Sequence, residues 1–210
     1  MSPIRLPPRG FTLVELLVVL VIMAILAAIL FPVFAAARAS GYKAGCVSNV
    51  RQLLQASTMY VSDHDRRLVA ARLYTGGSRL GTTWCVALQP YIRNESILIC
   101  PSDAAPQTVS NSDDLPHSYG INYDLTYVTG FGATNVAWAM SALPRTSDLV
   151  LFFDMKSTAG AMGSGYTANR VSRVDDRHLK KAIVGYLDGH AKPQAAKEID
   201  AVKFWNPSSP

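Results

Sequence analysis

From residue 16 to residue 37 the sequence carries no charge, and nearly every position is Leu, Val, Ile, Ala, Met or Phe. As a helix, a run of that length crosses the hydrocarbon core of a bilayer, which takes about 20 residues. No fold leaves such a segment bare in water, so the chain must place it in lipid or in a helical assembly. What surrounds the run narrows it further. A leader, residues 1–10, carries Arg5 and Arg9 and ends in Gly10, Phe11 follows at once, and Glu15 sits four residues later inside the apolar stretch. An ionisable group near the bilayer centre costs roughly 2.5–3.5 kcal/mol on insertion scales, so Glu15 needs a reason. Positive charge in the leader keeps that end on the cytoplasmic side. A secretory signal cut near Ala35-Ala36-Ala37 is one alternative, but the run is long for such a signal and contains an acid. A plain uncleaved anchor is another, and it leaves Glu15 unexplained.

The remainder of the 210 residues suffices for one modest globular domain, rich in turns because most of the Gly and Pro fall from Gly76 onward. The formal net charge is +5, and losing the two leader arginines lowers it to +3, a solvated surface rather than a nucleic-acid face. Nucleic acid is not an expected partner. The cysteines are Cys46, Cys85 and Cys100, an odd number that permits one intramolecular bridge and leaves one thiol over. No Cys/His spacing suggests zinc.

The stretch GFTLVELLVVLVIMAIL, with Gly10 before Phe11 and Glu15 four residues on, resembles the N-terminus of type IV prepilins and type II secretion pseudopilins. The resemblance implies cleavage between Gly10 and Phe11 by a prepilin peptidase, N-methylation of Phe11, and assembly of mature subunits into a filament. Pro32 falls where these families often place a helix-kinking proline. Cleavage creates an amine at Phe11, and Glu15 is placed to pair with its own or a neighbour's amine, fixing axial register between subunits. Further segments resemble a prepilin-type family that runs from a Cys-x-Ser-Asn start to a C-terminal His-(nine residues)-Asp-Gly: residues 46–65, 84–103, 117–123, 147–155 and 177–192, with His178, Asp188 and Gly189 as the final signature.

Beyond the apolar run the helix is expected to continue to about Val61, a rod of about 75 Å at 1.5 Å per residue. Pro32 removes a backbone donor and Gly41 and Gly45 are soft points. From Cys46 the pattern turns amphipathic, with Val47, Val50, Leu53, Leu54, Tyr60 and Val61 at helical spacing. The charged cluster Asp63-His64-Asp65-Arg66-Arg67 ends it as a solvated helix terminus. The organisation expected is therefore a leader over 1–10, a transmembrane or filament-core half-helix over 11–34, an amphipathic half over 35–63, and a head domain over 64–210.

The head is expected to be a small antiparallel β-sheet packed on the helix, an α+β fold. Residues 84–93 read as a short helix burying Trp84, Leu88 and Ile92, with Pro90 bending or ending it. Strands are expected over 119–128, 149–153 and 182–187. Residues 104–115 and 160–166 read as loops, and Leu187-Asp188-Gly189-His190 as a turn. Cys46 and Cys100 are the pair expected to bridge, closing a loop of about 50 residues worth about 3–4 kcal/mol; Cys85–Cys100 is the competing pair.

Side chains that could carry chemistry are Asp154, Asp175, Asp176, His178, Asp188 and His190. A hydrolase would set His178 against one of the aspartates, yet no Ser or Cys lies in a nucleophile-elbow pattern. Some major pseudopilins bind calcium in head-domain loops, and Asp154, Asp175 and Asp188 offer oxygen ligands for it, though no other cofactor is indicated. The favoured expectation is a structural hydrogen bond between His178 and Asp188 that orders the last loop. Taken together, a non-enzymatic subunit of a type II secretion-like pseudopilus is expected, single-pass in the inner membrane with its head periplasmic or extracellular. Its partners would be like subunits, the peptidase that methylates it and an inner-membrane assembly platform. A type IV pilin for adhesion, motility or DNA uptake is the close alternative; a membrane-anchored envelope enzyme or binding protein is an alternative of another class.

Overall fold

A single helix, α1, runs from Leu13 to Asp63, with Pro32 inside it. The computed structural model describes residues 10–73, 82–106, 115–126, 137–156, 166–167, 173–199 and 204–206. It falls into two compact units, one ending at Ser40 and the other comprising Gly41–Pro210. Within the first, the large apolar side chains from Phe11 to Phe34 are exposed. In the second, α1 buries Cys46, Val50, Leu53, Leu54, Ala56, Ser57 and Tyr60, a stripe one helical face wide. This stripe is why the compact head takes in the amphipathic helical half from Gly41 and does not begin at residue 64. The helix ends where Asp65 and Arg66 turn left-handed, at φ 49° and 57°. His64 donates from Nδ1 to the Tyr60 carbonyl at 2.9 Å and stacks on the Tyr60 ring, covering the last turn.

The main sheet lies wholly in the second unit. Among the described residues its order is β5-β3-β4-β6-β7, with β3 Tyr119–Asn122, β4 Val150–Asp154, β5 Tyr166–Thr167, β6 Ala182–Tyr186 and β7 Ala191–Gln194. The β3–β5 pair is parallel and the other pairs are antiparallel. A short hairpin, β1 Arg72–Leu73 with β2 Thr82–Thr83, leads into α2, Trp84–Leu88. Every residue of β4 and β6 is buried, because both faces of the sheet are covered. Ile183 and Leu187 join the cluster built on α1, while Ala182, Val184 and Tyr186 join one built on Ile199 and Trp205. A register shift between Val150 and Phe152 turns both Leu151 and Phe152 toward the α1 side.

Several local expectations are corrected. The strand expected over 119–128 stops at Asn122, whose Oδ1 accepts from Asp124 N at 3.0 Å and starts the helical turn α3, Tyr123–Thr126. The Asn side chain offers the backbone an alternative to the ladder, and residues 127 and 128 lie outside the described residues. The helix expected over 84–93 closes at Leu88 and tightens into a 3-10 turn, Gln89–Tyr91, leaving Ile92 half-buried. Pro90 causes this, having no N–H for an α-helical bond. β7 was not expected at all; its Pro193 is tolerated because β7 is an edge strand. Of the two expected loops, residues 107–114 and 160–165 lie outside the described residues.

Candidate functional site

Two parts of the chain gather functional side chains. The first is the N-terminus of α1. Gly10 and Phe11 precede the helix, and Thr12 opens it by accepting from Leu16 N at 3.3 Å. Glu15 Oε2 accepts from Thr12 N at 2.8 Å and from Thr12 Oγ1 at 2.7 Å, while Thr12 Oγ1 accepts from Glu15 N at 3.2 Å. This reciprocal pair is a capping box, Thr-x-x-Glu, which satisfies donors that the first turn would otherwise leave bare. The acid in the apolar run thus has a local partner that was legible in the sequence but was read only for its charge. Glu15 Oε1 remains unpartnered among the described residues, so the carboxylate keeps one oxygen for a second donor. The Gly10–Phe11 peptide bond lies outside the first helical turn, where cutting it breaks no helical hydrogen bond. The helix is long and apolar enough to cross a membrane, and nothing in its most apolar 18-residue window is buried.

The second part is a buried polar cluster in the head. Cys46 on α1 and Cys100 form a disulfide, and Cys85 is buried and outside that bridge. Asn49, one turn along from Cys46, donates Nδ2–H to the Ile99 carbonyl at 3.0 Å and holds the Cys100 segment against the helix. His178 Nε2 lies 3.3 Å from Cys100 Sγ and 3.3 Å from Asp154 Oδ2. Asp154 ends β4, is wholly buried, and accepts from Ile183 N at 2.6 Å. Burial pushes its carboxyl well above the usual carboxylate range, against the pull of His178, the Ile183 amide and Arg177. Arg177 bridges Asp103 at 2.5 Å and Asp175 at 2.9 Å. Burial alone would lower the guanidinium, yet Asp103, Asp154 and Asp175 together hold it above its ordinary value. Tyr119, paired with Asp154 across β3 and β4, is raised by burial and then by that carboxylate.

The expected His178–Asp188 hydrogen bond is not formed. Asp188 Oδ1 accepts from His190 N at 3.0 Å and pairs with His190 Nδ1 at 2.6 Å, closing the β6–β7 turn with Gly189 at φ 97°. A partner two residues away in an Asx turn wins over one ten residues away. The expected calcium ligands do not converge either. Phe153 pairs with Val184 and Val150 with Tyr186, so Asp154 and Asp188 sit at opposite ends of paired strands. At 3.3 Å per residue the separation is on the order of 15 Å. Asp175 is near Asp154, its N–H donating to the Asp154 carbonyl at 2.9 Å, but its carboxylate turns to Arg177. Asp176 is exposed. Arg177, Asp103 and Asn49 carry the cluster and were missed, because nothing in their spacing marks them.

A family model described as the prokaryotic N-terminal methylation motif matches residues 7–31. No curated protein and no solved structure matches the chain. The matched stretch contains Gly10, Phe11, the Thr12–Glu15 capping box and most of the exposed apolar face, and it stops just before Pro32. By that N-terminus, the chain resembles prepilin-type proteins.

Proposed function

We propose that the chain is a structural, non-enzymatic subunit that waits in a membrane and is built through α1 into the pseudopilus of a type II secretion-like system. The observation that carries this reading is the methylation motif running straight into a capped helix whose apolar side chains find no cover among the described residues. Burying that face between like helices removes it from lipid without exposing it to water. A peptidase cuts between Gly10 and Phe11 and methylates the new amine. Glu15 Oε1 then accepts a neighbour's amine while Oε2 keeps its hold on Thr12, so the acid serves cap and register together. The head stands outside the cytoplasm, a placement favoured by the Cys46–Cys100 disulfide, since such bridges persist in oxidising compartments.

Two measurements test this. Mass spectrometry of the mature chain is expected to find Phe11 at the N-terminus bearing one methyl group. Glu15→Ala is expected to leave the protein in the membrane at wild-type levels and to abolish sheared filaments and cargo export. An unprocessed N-terminus, or filaments indifferent to Glu15→Ala, overturns the reading. Surface filaments formed with export unaffected assign the chain to a type IV pilus instead.

A further inference from the structure

The Cys46–Cys100 disulfide does not stand alone in the core. Cys46 Sγ, Cys100 Sγ and His178 Nε2 all lie within 4.8 Å of one another. Cys46, Cys100 and Asp154 are completely buried and His178 is 4% exposed. We propose that the dithiol form of Cys46 and Cys100 joins His178 and Asp154 as a tetrahedral zinc site, of which the disulfide is the oxidised, metal-free state.

Two edges of such a tetrahedron, both from His178, are already close to its dimensions; the sulfurs must part from each other, and Asp154 lies outside the Cys46–Cys100–His178 group and must close on the sulfurs. With Zn–N of about 2.05 Å and Zn–O of about 2.1 Å, a tetrahedral N–O edge is about 3.4 Å, and with Zn–S of about 2.3 Å an N–S edge is about 3.6 Å. His178 Nε2 stands 3.3 Å from Asp154 Oδ2 and 3.3 Å from Cys100 Sγ. Cys46 and Cys100 have Cα atoms 5.3 Å apart, so rotation about their Cα–Cβ bonds opens the two sulfurs to an S–S edge with little backbone movement. Asp154 supplies an independent sign of an unfilled role: Oδ2 accepts from Ile183 N, but Oδ1 is buried without a hydrogen-bond partner among the described residues. A wholly buried carboxylate with an idle oxygen is costly, and a cation beside it removes the cost.

The ligands come from separate, fixed elements. Cys46 is held in α1, Asp154 by its bond from Ile183 N in β6, and Cys100 by the Asn49 contact to Ile99. His178 sits in a turn closed at both ends, its N–H donating to the Lys181 carbonyl and Lys181 N–H to its own. Two thiolates, one carboxylate and a neutral imidazole around Zn2+ leave a net charge of −1, which the nearby Arg177 guanidinium offsets. Oxidation by a small-molecule disulfide balances directly. The two cysteine thiolates leave zinc and form the Cys46–Cys100 bond, their two electrons cleave the donor's S–S bond into two thiolates, and Zn2+ departs. The sequence spacing hid the site because its ligands are spread over residues 46, 100, 154 and 178.

The test uses the full chain in detergent micelles. Reduced by a phosphine and titrated with zinc against a chromophoric chelator, wild type is expected to hold about one ion per chain. Adding oxidised glutathione is expected to release that ion in step with disulfide formation. Cobalt in place of zinc should show sulfur-to-cobalt charge transfer and the intense d–d bands of a tetrahedral site. His178→Ala and Asp154→Asn are each expected to weaken zinc binding by about tenfold or more, and His178→Cys to retain it. A reduced wild-type chain that holds no zinc, an oxidised chain that holds as much as the reduced, or binding abolished by Cys85→Ser overturns the proposal. Because the first measurement needs no substitution, it decides even where a variant fails to fold.

Discussion

Gly185 is the place where the head's helix and sheet come closest, and adding one methyl group there tests the packing directly. A Cβ at Gly185 would lie 2.5 Å from Val50 Cγ1 and 3.0 Å from Leu54 Cδ1. Carbon atoms prefer about 3.5–4.0 Å, so the Val50 contact is about 1 Å too close. Val50 cannot yield: it is completely buried, and a β-branched side chain in a helix has essentially one χ1 rotamer. Either α1 lifts from β6 or Val50 leaves its rotamer, and overpacking of this kind costs about 2–3 kcal/mol. That is roughly a 30- to 140-fold loss in the folding equilibrium. Val50→Ala removes the offending Cγ1 at a cost of about 2 kcal/mol for lost contact and cavity. In the double variant the new methyl occupies that cavity, so the two losses are expected to fall short of additivity by about 2 kcal/mol. Urea unfolding of the full chain in micelles, followed by the fluorescence of buried Trp84 and Trp205, measures all four corners of the cycle. A neutral Gly185→Ala, or strict additivity with Val50→Ala, refutes the packing of α1 on β6 at this point.

Thr12→Val keeps the shape of the cap but removes its hydroxyl, and should weaken the first turn of α1 by about 1 kcal/mol, seen as faster amide exchange there. Under the proposed function it should only modestly lower filament yield, whereas Glu15→Ala abolishes it; equal defects would mean that Glu15 acts as a cap alone. Replacing both Cys46 and Cys100 by Ala opens a loop with a sequence separation of 54. From chain entropy this should cost about 4 kcal/mol, and a loss under 1 kcal/mol by urea unfolding would show that the bridge hardly restrains the unfolded chain. Burial, the charge of Asp148 and other acids push the Tyr186 phenol up to about 12 from 10.0, against the Gln194 hydrogen bond. The folded chain therefore holds that proton more tightly than the unfolded one, a stabilisation complete below pH 10 and lost as pH rises toward 12. Ultraviolet titration should show a phenol titrating near pH 12 that disappears in Tyr186→Phe while the phenol of Tyr119, also raised by burial, stays, and wild type should lose stability over that window more steeply than the variant.

What could be read from the sequence was local. The apolar run, its leader, Phe11 and Glu15 all lie within a few helical turns, so their relation survives without knowledge of the fold. The stripe Cys46–Val50–Leu53–Leu54–Tyr60 was legible for the same reason, and so were the buried strands around Leu151 and Ile183, which are apolar throughout. The polar cluster was not. His178 meets Asp154 only because β4 and the turn after Val174 are brought side by side, and Arg177 finds Asp103 across more than seventy residues. Asp188 shows the converse: a signature whose His and Asp stand ten residues apart suggested a partner in His178, but the strand β6 between them carries the two apart. Asn122 broke an apparent strand because a side-chain oxygen can start a turn as readily as a backbone one.

The disulfide also decides where a mechanical load enters the head. Cys46 is the first buried residue met on travelling along α1 from its N-terminus. A pull or push transmitted through the helix therefore reaches a covalent bond before it reaches any fully buried apolar side chain beyond it. Peeling the helix off the sheet from that end, one contact at a time, is blocked at its first step while the bridge is closed. When the bridge is open, tension falls instead on Val50, Leu53 and Leu54 in turn, each a weak dispersion contact. The oxidation state of a single pair of sulfurs thus sets whether the head resists force as a riveted joint or as a zip.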